Sequence, residues 1–81
     1  MQAISELQRI ANQYADIYMQ DETLFFRLMD AEQRKYTAKE WYIITQLAQV
    51  YTNVKSGIMS RQDGQEEQRL IPKRAGIYIR F

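Results

Sequence analysis

Six carboxylates crowd the first 32 residues: Glu6, Asp16, Asp21, Glu22, Asp30 and Glu32. Two carboxylates can divide the roles of general acid and base when both reach the same reacting group. These six fall on polar helix faces or at capping positions, and no partner group stands at a telling spacing from any of them. The chain has neither cysteine nor histidine. That removes thiol and imidazole nucleophiles and bases, disulfides and the ligands of structural zinc together. Ser5, Ser56 and Ser60 therefore lack an imidazole base, and Gly57, Gly64 and Gly76 form no phosphate-cradling loop. The sequence predicts no enzyme, no cofactor, no metal site and no small-molecule substrate.

What the residues could do is bind. Residues 47–61 loosely resemble a helix-turn-helix unit, with Thr52-Asn53 at the turn. Its second helix would offer Asn53, Lys55, Ser60 and Arg61, residue types that contact phosphates and base edges. Lys73 and Arg74 would then be the phosphate contacts of a basic wing, in the element order of a winged helix. Gly57 inside the would-be recognition helix and a net charge of only +1 weigh against this small nucleic-acid-binding regulator.

A protein-interaction module accounts for more of the chain. Six tyrosines, three phenylalanines and one tryptophan exceed what one small core easily buries, and aromatic residues and methionine are enriched where proteins meet. Tyr14, Tyr18, Tyr42 and Tyr51 lie on helical stripes and read as core. Phe25 and Phe26 stand side by side, so one narrow stripe cannot hide both: either their helix is buried on two sides, or one ring faces a partner. At the other end, Tyr78, Arg80 and Phe81 would make a docking strand that extends a partner's sheet, steered by basic neighbours. The expected partner is another protein or a second copy of this one. The small cysteine-free form would also suit an accessory protein of a phage or mobile element.

The elements that must position these residues can be placed by periodicity. Ile4, Leu7, Ala11, Tyr14 and Tyr18 recur at three- and four-residue spacings and predict a helix over about 2–19. Asp21 is an N-cap for a second helix over 21–34, unless the two are one long bent helix. Thr37-Ala38-Lys39-Glu40 is a capping box, with Tyr36 and Trp41 at the positions of a hydrophobic staple, and opens a helix over 38–56. Gly57 ends it. Residues 57–68 are polar, turn-prone around Asp63-Gly64, and read as a loop. In the last stretch Ile77, Ile79 and Phe81 alternate with Tyr78 and Arg80, the repeat of a half-buried strand. Leu70-Ile71 before Pro72 would be its hairpin partner. The predicted fold is thus mainly α, a three-helix small domain followed by a short C-terminal β-hairpin or single strand over 69–81.

Length and composition bound the rest. The 81 residues make one domain, spanning residues 1–81. A domain this small buries only about 60% of the surface its unfolded chain exposes, so self-association or docking on a larger partner is an expected source of further burial. The 46% apolar and 26% charged content is that of a globular chain. No stretch approaches the roughly 18 apolar residues of a membrane span, and the first residues lack the pattern of a signal peptide. The expected setting is therefore cytoplasmic. Charge is unevenly spread: residues 1–32 carry six acids against two arginines, and residues 33–81 carry nine bases against four acids. The two halves could present opposite faces.

Overall fold

In the computed structural model, which describes residues 3–78, the chain forms four α-helices in sequence. They are α1 (Ile4–Gln20), α2 (Glu22–Glu32), α3 (Ala38–Lys55) and α4 (Arg61–Tyr78), with a 3₁₀ turn at Gln33–Lys35 between α2 and α3. α1 and α3 pack on each other, α2 lies on α1, and α4 lies on α3. The radius of gyration is 12.3 Å, near the roughly 12 Å expected of a folded chain this long. The extents are 34 × 31 × 19 Å, so the shortest dimension is about two helix diameters.

α1 buries Leu7, Ala11, Tyr14 and Ala15, the i, i+4, i+7, i+8 face its periodicity predicts. One residue separates it from α2. Asp21 is extended, at φ −156°, while its amide still donates to the Ile17 carbonyl at 2.8 Å. Its carboxylate accepts from the Leu24 amide at 3.1 Å, so the same residue closes α1 and caps α2. The two helices are distinct.

The start of α3 is as its sequence predicts. The Glu40 amide donates to the Thr37 hydroxyl at 3.1 Å, and the Thr37 amide donates to the Glu40 carboxylate at 2.9 Å. Tyr36 stacks on Trp41 with ring centroids 5.8 Å apart, completing the staple. Ile43, Ile44 and Leu47 are fully buried and join Leu7 and Tyr14 in one core. At the other end Gly57 takes φ +81°, and its amide donates to the Val54 carbonyl while the Ile58 amide donates to that of Asn53. This is a Schellman closure, which needs the left-handed residue that glycine supplies without strain.

The C-terminal third differs from the sequence-based expectation. Residues predicted as a loop over 57–68 and a β element over 69–81 form instead a short connection and α4, through Tyr78. The Asp63 amide donates to the Ser60 hydroxyl at 3.1 Å, so Ser60 is the N-cap, and Ser60-x-x-Asp63 is a helix start rather than a turn. Among the residues of α4 whose burial is described, Gly64, Ile71 and Ala75 are buried, and their helical spacing of seven and four governs this segment. The two-residue alternation predicted the strand from only five residues, of which 79–81 lie outside the described region. Pro72 sits inside α4, where its missing N–H leaves the carbonyl four residues back without its helical donor. Gly64 is needed for close approach: a Cβ there would stand 2.5 Å from Val54 Cγ2 on α3.

Candidate protein-binding face

Six aromatic rings form a continuous chain through the middle of the molecule. Phe26 contacts Phe25 at 5.2 Å and Tyr18 at 6.5 Å between centroids, and Phe25 meets Tyr18 at 5.0 Å and Tyr14 at 6.5 Å. Tyr14 then meets Trp41 at 6.3 Å, and Trp41 stacks on Tyr36. All but the last are edge-on, the arrangement favoured by ring quadrupoles. This chain answers the question raised by the adjacent phenylalanines: Phe25 packs inward on α1, and Phe26 is left 57% exposed.

The exposed ring borders an open groove of about 440 Å³ between α2 and α3. Phe25, Phe26 and Met29 of α2, Tyr18 of α1 and Ala48 of α3 give it apolar surface, and Thr45, Gln49, Thr52 and Asn53 of α3 give it hydroxyls and amides. No charged side chain lines it. The reason lies in α3, where the fourteen residues from Trp41 to Val54 carry no charge at all, in a chain that is 26% charged. The core side of α3 is apolar by necessity, but its solvent side is neutral as well, with Thr45, Gln49 and Thr52 where lysine and glutamate usually stand. The run is plain in the sequence. Its meaning needed the fold, because only the fold tells which of its residues face water. Thr45, Gln49 and Met29 were not singled out beforehand for that reason.

On the other flank of α2 a second, polar groove runs along Glu6, Arg9, Tyr14, Glu32 and Tyr36. The buried Tyr14 hydroxyl donates to the Glu32 carboxylate, which also accepts from Lys35 Nζ at 2.9 Å. Lys35 foremost, then the Tyr14 hydroxyl, hold Glu32 below the usual carboxylate range. Burial foremost, then the Glu32 hydrogen bond, push the Tyr14 phenol far above its ordinary value. Arg9 pairs with Glu6. Four of the six N-terminal carboxylates are thus in ion pairs or caps: Glu6, Asp16, Asp21 and Glu32. Among the described residues no group of three or more acidic side chains is placed to hold a metal ion, and no helix is long and apolar enough to cross a membrane.

The residues proposed from sequence for nucleic acid are not arranged as a helix-turn-helix and wing, although Lys55 and Arg61 line one groove between α3 and α4. Thr52 and Asn53 lie within α3, so the helix-turn-helix turn does not exist. Asn53 lines the neutral groove, and Lys55 pairs with Asp16 and donates to Asn12 at 2.8 Å, tying α3 to α1. Ser60 is engaged as a cap. Arg74 grips Glu67 through two nitrogens at 2.7 and 3.4 Å, and this guanidinium lowers the carboxylate's proton affinity. Arg61 and Lys73 are exposed at the start and on the outer face of α4, where no hairpin wing forms. Of the proposed docking strand, Tyr78 is the last residue of α4, and Arg80 and Phe81 lie outside the described residues. The structure brings together Phe25, Phe26 and Asn53 from the sequence-based set and adds Tyr18 and the neutral side of α3. Comparison with protein-family models, curated proteins and solved structures finds no match.

Proposed function

We propose that this chain is a non-enzymatic protein-interaction module that docks through the face shared by α2 and α3. The observation that supports this reading above the others is Phe26, a phenylalanine 57% exposed beside a groove with no charged lining. Water gains nothing from such a surface, and a partner covering it would bury aromatic and methionine side chains without stripping water from a charge. Leu24 and Met19, both nearly half exposed near the α1–α2 joint, enlarge the apolar area. Nucleic-acid binding is the competing reading. It is less favoured because Lys55 and Arg74 are held in ion pairs with Asp16 and Glu67 and the net charge is only +1.

The test uses the immobilised chain in nuclease-treated extract of its source cells, with three forms compared. Phe26→Asp is expected to lose the captured protein while keeping its helical circular dichroism, since the ring contributes little to the core. Lys73→Ala with Arg74→Ala is expected to keep it. Loss only in the double variant, together with salt-sensitive binding of labelled DNA or RNA, would transfer the reading to nucleic acid.

A further inference from the structure

The groove beside Phe26 has an uncharged floor and an acidic rim. Of the six carboxylates in the first 32 residues, Glu6, Asp16 and Glu32 are in ion pairs and Asp21 is a cap. The remaining two, Glu22 and Asp30, are exposed and form no ion pair among the described residues. They stand four residues before and four residues after Phe26, so a carboxylate lies one turn to either side of the exposed ring on the same face of α2. We infer that this face takes a basic amphipathic helix of another protein, which sets an apolar side chain in the groove and a lysine or arginine against each carboxylate. This rests on the module reading above and names the chemistry of its partner.

Three observations carry the inference. Glu22 suits the first turn of α2, where the helix dipole favours negative charge, but Asp30 lies in the last turn, where the dipole opposes it. Aspartate is also a poor helix former. The helix gains nothing from Asp30, and a cation brought by a partner gives it a role. Second, no neighbouring base claims either carboxylate. Arg27, the one base of α2, lies about 100° round the helix from Phe26, and neither Arg27 nor Arg34 pairs with Asp30. α3 carries no charge from Trp41 to Val54, and Lys55 is held by Asp16. Third, the spacing describes the partner. Eight residues of helix put Glu22 and Asp30 about 12 Å apart along the axis. A partner helix with bases seven or eight residues apart and an apolar side chain midway meets the groove and both carboxylates together, the helix-in-groove mode of recognition. The same rim repels nucleic acid and anionic lipid. One helix face against one open groove is a small contact, so the association is reversible rather than permanent.

Fluorescence anisotropy with the full chain reads this against two labelled probes. One is an amphipathic helix of about 15 residues built from leucine and lysine, and the other carries glutamate in place of every lysine. The lysine helix is expected to bind and the glutamate helix is not. Glu22→Gln with Asp30→Asn is expected to weaken binding of the lysine helix about three- to tenfold, the range that two exposed ion pairs allow, and to flatten its salt dependence. Asp63→Asn with Glu66→Gln removes the same charge from α4 and is expected to leave binding unchanged. Glu22→Lys with Asp30→Lys is expected to reverse the preference between the probes, with helical circular dichroism retained. A wild type that binds neither probe, or both alike, would overturn the inference, as would equal weakening by the α4 pair. Sedimentation at twice 9.7 kDa with the groove closed to the lysine helix would assign the face to a second copy instead. If Glu22→Gln with Asp30→Asn binds like wild type while Phe26→Asp still abolishes capture from extract, the basic partner falls and the module reading stands.

Discussion

Tyr14 ties three helices together. It is a buried core residue of α1, contacts Phe25 of α2 and Trp41 of α3, and donates its hydroxyl to Glu32 at the end of α2. The pair has opposite consequences at the two ends of the pH scale. Glu32 binds its proton less tightly when folded, so its contribution to stability is present above its unfolded value near 4.5 and is lost as pH falls through its folded one. Tyr14 holds its proton more tightly when folded. Its contribution is present below its unfolded value near 10 and is lost at higher pH, where the unfolded phenol ionises and the folded one does not. One such proton changes stability by about 1.4 kcal/mol per pH unit. Denaturant melts across pH are therefore expected to show a shallower alkaline fall in Tyr14→Phe and a shallower acid fall in Glu32→Gln. Tyr51, raised by burial, acts in the same alkaline sense and leaves part of the fall in place.

Among the elements, α4 was misread from sequence, and two glycines inside it separate propensity from packing. Gly64 and Gly76 are both helical, so alanine at either gains about 1 kcal/mol in helix propensity. At Gly76 a Cβ meets nothing within 4 Å, and Gly76→Ala is expected to stabilise by about 0.5–1 kcal/mol. At Gly64 the Cβ would meet Val54 Cγ2 at 2.5 Å. The branched valine cannot swing aside, so α4 must shift from α3 at a cost of about 1–3 kcal/mol, which outweighs the propensity gain. Thermal melts of the two variants should move in opposite directions. Equal shifts would mean that α4 does not lie on α3 at Gly64.

For the whole molecule, the seam between α3 and α4 decides whether the four helices fold as one unit. Ile71 is 1% exposed and Ala75 fully buried, and both belong to the same core as Leu7 and Ile44. Ile71→Ala is expected to cost about 2–5 kcal/mol, the range for emptying a buried aliphatic site. The loss should appear in a single cooperative transition, because the cavity opens into the common core. If α4 were an appendage, the variant would instead lose part of its helical signal early while α1–α3 melted unchanged. The surface ion pairs, such as Arg69 with Glu66 at 2.6 Å, are too exposed to matter much in this balance.

The sequence by itself determined the mainly helical class, the first three helices to within one or two residues, and the capping box and staple that open α3. These are local devices: Asp21, Thr37, Glu40 and Trp41 act on amides and rings within five residues of themselves, so their effect is written where they stand. Local signals failed at residues 61–78. There Asp63-Gly64 and Pro72 read as turn and break, and the choice of helix depended on Gly64, Ile71 and Ala75 finding the surface of α3. The candidate site divided in the same way. The side-by-side phenylalanines announced that one ring must lie outside the core, but only the packing of α2 on α1 chose Phe25 for the inside and Phe26 for the outside. The uncharged run of α3 was visible throughout as letters. It became a surface only when the fold turned Thr45, Gln49 and Thr52 toward water beside Phe26, because facing is set by contacts between helices and not by the residues of one helix alone.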